Sequence, residues 1–211
     1  MFRKYEIERE VQRRTEELCQ SMHIYLDVFE NECPFNSQQL RLHVPTICLR
    51  RELGDVSTAL RNDDYLKSLW KTLDAWGLNA RRATLLPLEE FKQVFFDHEE
   101  EISRWNNITI DDTSRPLRED AQYLWQLINK TRVSEADNPI VSGSKAFHHI
   151  LPELIPPIDR EYTRPFFKYW GQYFQYGPDR VFPYIWGKFA MMAHKVNLRQ
   201  YVWGEQDGVQ V

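Results

Sequence analysis

The chain is predicted to fold as an irregular all-α multi-helix bundle with a long N-terminal helix, one domain covering residues 1–211. Three observations carry this. Apolar residues recur at helical steps in separate stretches along the chain. The only strand candidate, Ile108-Thr109-Ile110, is a short segment between turn signals that a loop explains equally well. No internal repeat and no low-complexity linker divides the chain.

The elements follow in order. In residues 1–31, Ile7, Val11, Leu18, Met22, Tyr25 and Phe29 form a stripe interrupted by Arg14, with Glu10 placed to pair with Arg14 four residues on. This reads as one long amphipathic helix ending near Asn31 and Pro34, either an arm for a homodimer or a helix lying across the domain. Residues 33–62 are the least regular, with short helical turns expected at 37–42 and 45–53. Asp63 and Asp64 offer a cap to a helix carried by Leu66, Leu69, Trp70, Leu73 and Trp76, with Gly77 as its stop. Pro87 opens a helix with the stripe Leu88, Phe91, Phe95, Ile102 and Trp105. Ser114 and Pro116 open the next, carried by Leu117, Ala121, Leu124 and Ile128. The last long helix starts near Pro178 and Asp179 and buries Phe182, Ile185, Trp186, Phe189 and Val196.

Composition narrows the function. Hydrophobic residues make up 42% of the 211, enough for a sizeable core, so a disordered or fibrous chain is excluded. The net charge of −4 argues against a protein held to nucleic acid by bulk charge, although a local basic groove remains compatible with it. Three cysteines without C-x-x-C spacing argue against a disulfide framework or a zinc knuckle and fit a reducing cytoplasm. The charged start has no signal-peptide core, and no stretch approaches the roughly 18–20 apolar residues that span a bilayer, so a membrane partner is not expected. There is no Gly-rich phosphate loop, G-x-S-x-G elbow or dinucleotide fingerprint, and no cofactor is expected.

Chemistry concentrates in residues 138–167, NPIVSGSKAFHHILPELIPPIDREYTRPFF. Gly143 permits a tight turn, Ser144 is a good N-cap, and Lys145 then falls in the first turn of a short helix that Pro152 cuts off. The positive field of a helix start disfavours a charged lysine there: either Lys145 faces a pocket where its pKa is lowered, as an amine nucleophile needs, or it points outward into water. Pro156-Pro157 stiffens an extended stretch that delivers Asp159, which caps the following helix unless Thr163 does. His148 and His149 are adjacent, so on a helix their side chains diverge by about 100° and do not easily grip one ion. No metal site is expected of them: one faces the pocket with Asp159 while the other packs, or both are ordinary helix histidines. Asp97-His98-Glu99-Glu100-Glu101 reads as a solvated face. Arg81 and Arg82 with Arg160 and Arg164 form a phosphate site if the fold gathers them. Fourteen of the 29 aromatic residues lie between Tyr162 and Trp203, more than one core-facing stripe buries, so rings there fill the core or line a pocket. Lys145, Asp159 and His148 are the candidate catalytic residues; Trp76, Gly143, Ser144, His149, Arg160 and Tyr162 are the candidate binding residues.

Two resemblances bear on the same segment. Gly143-Ser144-Lys145 followed by Pro157-Ile158-Asp159 resembles the helix-hairpin-helix DNA glycosylases, whose pattern is G-x-G-[ST]-K with a later V-D. That resemblance implies Lys145 as the amine attacking the sugar C1′ and Asp159 as its carboxylate partner. Val141 stands where that pattern has its first glycine, and Lys145 and Asp159 lie closer together than its usual spacing. The longer pattern S-K-x-x-H-H-x-x-P-x-L-x-P-P-x-D-R-x-Y-T, with T-L-x-x-W-G-L-N upstream, resembles a family of small bacterial and archaeal helical proteins that brings no assigned activity. Two functions remain in view: a non-enzymatic binding or interaction module with an aromatic-lined pocket near Lys145 and Asp159, and a glycosylase/lyase-like enzyme acting on nucleic acid.

Overall fold

A computed structural model describes residues 2–32, 37–79, 84–112, 114–168 and 177–196. Those residues form eleven helices: α1 (Phe2–Gln20), α2 (Met22–Glu32), α3 (Ser37–Glu52), α4 (Val56–Arg61), α5 (Asp63–Ala75), α6 (Leu88–Asp97), α7 (Glu99–Ser103), α8 (Leu117–Lys130), α9 (Ile140–Ile150), α10 (Thr163–Phe167) and α11 (Pro178–Val196). The only extended pairing among them is an isolated antiparallel bridge between Leu85 and Ser134, so the fold is all-α. Residues 108–110 are loop. No helix among the described residues is long and apolar enough to cross a membrane.

The long N-terminal helix is broken where the sequence predicts continuity. Ser21 forms a turn between α1 and α2: its amide still donates to Glu17 O (3.0 Å), while its carbonyl accepts from both Ile24 (3.0 Å) and Tyr25 (3.2 Å). α1 packs against α10 and α11 through buried Val11 and Thr15, and the Thr15 hydroxyl is satisfied by Val11 O at 2.7 Å. Arg14, which interrupts the apolar stripe, pairs with Glu10 and donates to Pro165 O (3.2 Å), so it serves the same contact. Lys168 to Glu10 and Lys188 to Gln12 (3.0 Å) fasten the helix further. α2 leaves Ile24, Tyr25 and Val28 exposed.

α3 also differs from expectation, in the opposite sense: one helix runs straight through Pro45. Proline removes a helical donor. Two hydroxyls converge on the next carbonyl of that turn: Thr46 Oγ1 turns back to Leu42 O (2.8 Å) and Thr72 Oγ1 reaches the same oxygen from α5 (3.2 Å). Thr46 also bonds Ser68 (2.7 Å) and Thr72 (2.9 Å), a polar seam between α3 and α5. The short α4 is capped by Asp55, whose carboxylate accepts from Thr58 N. Asn62 then ends α4 and caps α5 through Tyr65 N (2.8 Å), one residue ahead of the predicted aspartates, which take the first turn instead. Gly77, at φ +79°, stops α5 in the left-handed conformation that glycine adopts without strain. The stripe after Pro87 is buried as expected at Phe91, Phe95, Ile102 and Trp105, but His98 splits it into α6 and α7.

α9 is the central element, with eight of its eleven residues buried. It begins earlier than Ser144, because Asn138 Oδ1 accepts from Ile140 N (3.1 Å) and Pro139 takes the N-cap position. The turn expected at Gly143 is therefore absent: Gly143 and Ser144 are interior helix residues and Lys145 is mid-helix. Gly143 has a different reason to be glycine. A Cβ there would overlap Cγ2 of Ile128 on α8. The C-terminus is where proline places it: α9 ends at Ile150, just ahead of Pro152.

Gly143→Ala is expected to destabilise the protein by about 1–2 kcal/mol, since overpacking costs about 1–3 kcal/mol and the gain in helix propensity returns up to about 1 kcal/mol. Urea denaturation checks this. In an Ile128→Ala background, which removes the offending methyl, the same change should cost clearly less.

Candidate functional site

The side chains around Lys145 come from three helices. His148 and His149 project from the last turn of α9, His43 from the middle of α3, and Trp76 from the C-cap of α5. Their rings form one cluster: His43 lies 5.0 Å from His149, edge-on, and 5.9 Å from His148, nearly parallel. Trp76 lies 5.1 Å from His43 and 4.9 Å from His149. The Lys145 ammonium stands 5.4 Å from the centre of the Trp76 ring, within reach of a cation–π attraction. Only His149 is fully buried; His43, Trp76, Lys145 and His148 each keep part of their surface accessible.

The hydrogen bonds assign the tautomers. His149 Nδ1 faces Lys145 O at 2.8 Å, and a carbonyl only accepts, so Nδ1 carries the proton and Nε2 is a lone pair. That lone pair lies 3.0 Å from His43 Nδ1, which must then donate, leaving His43 Nε2 as an acceptor. His148 Nδ1 donates to Ile155 O (2.9 Å), so its Nε2 is also an acceptor. Tyr65, fully buried, donates to His149 O (2.8 Å) and holds the end of the helix in place.

All three imidazoles are held neutral. Removal from water lowers the His43 pKa, lowers His148 to about 4, and lowers His149 well below its ordinary value, with His148 and Lys145 adding repulsion at His149. The result is a stack of neutral rings with one ammonium at its edge. Among the described residues no group of three or more His, Cys, Asp or Glu side chains is arranged to hold a metal ion. Here the reason is explicit, because the ring nitrogens of His149 are spent on Lys145 O and His43.

The other predicted site residues are placed elsewhere or otherwise. Ser144 accepts from Ile158 N (3.0 Å) and so ties the Pro-Pro stretch to α9 rather than capping a helix. Asp159 Oδ1 accepts from the amides of Glu161 (2.8 Å), Tyr162 (2.6 Å) and Thr163 (3.2 Å), closing the turn ahead of α10; the N-cap position itself is Tyr162 and has no side-chain cap bond, so neither Asp159 nor Thr163 is the N-cap that the sequence predicts. Arg160 and Tyr162 are exposed, Tyr162 by 60%. Arg81, Arg82 and the aromatic run at 169–176 lie outside the described residues. The acidic face at 97–101 is paired with cations, Glu99 with Arg61 (2.9 Å), Glu100 with Arg104 (2.8 Å) and Glu101 with Lys130 (3.0 Å). Sequence reasoning missed His43. The signal for it is the helical step from Gln39 and to Ile47, across Pro45, where the sequence predicts a break.

Comparison with protein-family models, with curated proteins and with solved structures found no match to this chain.

A histidine whose folded pKa lies below its unfolded value binds protons more readily when unfolded, so it stabilises the fold at high pH and loses that contribution as pH falls. Stability should be level above about pH 7 and decline from about 6.5 downward, before most carboxylates titrate. Urea midpoints measured against pH should show this decline, and His148→Phe should flatten it between about pH 5 and 6.5.

Proposed function

We propose that the protein is a non-enzymatic binding module whose ligand rests on the accessible edge of the His43, Trp76, Lys145 and His148 cluster. The observation that carries the reading is the Lys145 ammonium held 5.4 Å over the half-buried Trp76 ring, beside the stacked His43 and His148 rings. Such a surface combines flat apolar faces with a fixed donor and two acceptors, His43 Nε2 and His148 Nε2. A flat heterocycle with its own N–H donors, such as a nucleobase, fits that pattern best. Charge agrees, because a ligand recognised by stacking and a few hydrogen bonds does not require the broad basic surface that a net charge of −4 argues against.

The geometry favours binding over amine catalysis. Lys145 stands in mid-helix, away from the positive field of a helix start, and Asp159 Oδ1 is occupied by three backbone amides. Calorimetric titration with adenosine, guanosine, cytidine and uridine tests the reading. At least one should bind saturably, and Lys145→Gln and Trp76→Leu should each weaken it about tenfold with the fold intact by circular dichroism, equivalent to about 1.4 kcal/mol. No saturable binding of any nucleoside by the wild type overturns the proposal. A borohydride-trapped adduct with an abasic oligonucleotide, lost in Lys145→Ala, replaces it with the lyase reading.

A further inference from the structure

A second site lies just beyond the C-terminus of α9, beside Leu151, Pro152 and Glu153, and does not rest on the reading above. A cleft of about 200 Å³ is lined by Arg50, Arg51, Trp105, Asn106, Asn107 and Glu153, among others. Pockets for drug-sized ligands usually occupy about 300–1,000 Å³, so its occupant is small.

Arg50 is the unusual residue. It is only 6% exposed, yet among the described residues it makes no direct ion pair: Nε donates to Ile150 O (2.8 Å), Nη1 to Gly54 O (3.2 Å) and Nη2 to Asn106 Oδ1 (3.4 Å). These acceptors are neutral. The carbonyls belong to the ends of α9 and the turn after α3, and helix ends return only a fraction of what burying a guanidinium costs. Arg51 does have a carboxylate, Glu153 at 3.0 Å, in an exposed pair. Among the described residues, Arg50 is thus the charge of the lining without a direct carboxylate contact, supported at longer range by Asp55.

Its five N–H groups are three-fifths used, leaving one on each terminal nitrogen. A planar carboxylate matches that fork. Two neighbours add donors. Trp105 Nε1 is buried without a hydrogen-bond partner, an uncommon state for an indole N–H. Asn106, oriented by giving its Oδ1 to Arg50, keeps its NH2 group for another acceptor. Asn107, at φ +62° in the left-handed region, also lines the cleft.

We propose that this cleft binds a small carboxylate, held by the Arg50 guanidinium with the Trp105 ring as its wall. The test is titration of the full chain with acetate, succinate and benzoate, against inorganic phosphate and chloride at matched ionic strength, followed by the Trp105 indole N–H resonance. One carboxylate should move that resonance saturably and bind more tightly than phosphate. Arg50→Lys, which keeps the charge and loses the fork, should weaken binding about tenfold or more. Asn107→Gly, which keeps the left-handed backbone accessible and removes the amide, covers the case in which the Arg50 variant fails to fold, and should also weaken binding. A wild type whose Trp105 resonance responds to no carboxylate, or responds most tightly to phosphate, overturns the proposal, as does full binding by both variants.

Discussion

The close approach of α9 to α8 at Gly143 and Ile128 is the constraint on which the rest depends. It draws a helix with polar residues into the centre of the bundle, and every polar group carried inside must then find a partner there. Ser144 meets Ile158 N, His149 meets His43, and the Ile150 carbonyl meets Arg50. Each of these bonds reaches a different part of the chain: the Pro-Pro stretch, the middle of α3 and the end of α3. The helix thus organises its surroundings through its polar atoms as much as through Phe147 and Ile150.

Both candidate sites are by-products of that burial. In its last turn, α9 offers neutral imidazoles because desolvation disfavours their charged forms. Just beyond that turn, a guanidinium stays charged because arginine resists losing its proton even when burial lowers its pKa. The C-terminal end of one helix therefore borders two environments of different character, one recognising faces and lone pairs, the other recognising negative charge.

The fold was largely legible in the sequence, the site only partly. Stripes such as Phe91–Phe95–Ile102 and Leu124–Ile128 announce themselves because apolar periodicity follows directly from which face meets the core. Breaks are harder. Ser21 and His98 interrupt helices with residues that tolerate helix, and Pro45 fails to interrupt one that packs along α5. Nothing in the local sequence distinguishes these cases, since the packing that decides them comes from another helix. At the motif, Gly143 was read for its backbone freedom when what mattered was its missing side chain, a property of tertiary contact. Lys145, His148, His149 and Trp76 were all named from the sequence, but their meeting depends on His43, which only the packing of α3 brings in.

The seating of α1 against α10 and α11 has a consequence for how the chain matures on the ribosome. Its buried face, Val11 and Thr15, and its ties from Glu10 to Lys168 and from Gln12 to Lys188 all wait for segments made much later. At elongation rates of about 5–20 residues per second that delay is roughly ten to thirty seconds. Most of a protein helix's stability comes from the tertiary packing of its amphipathic face. For that interval α1 is a fluctuating amphipathic strip open to holdase chaperones, and its seating comes only once α10 and α11 have been made.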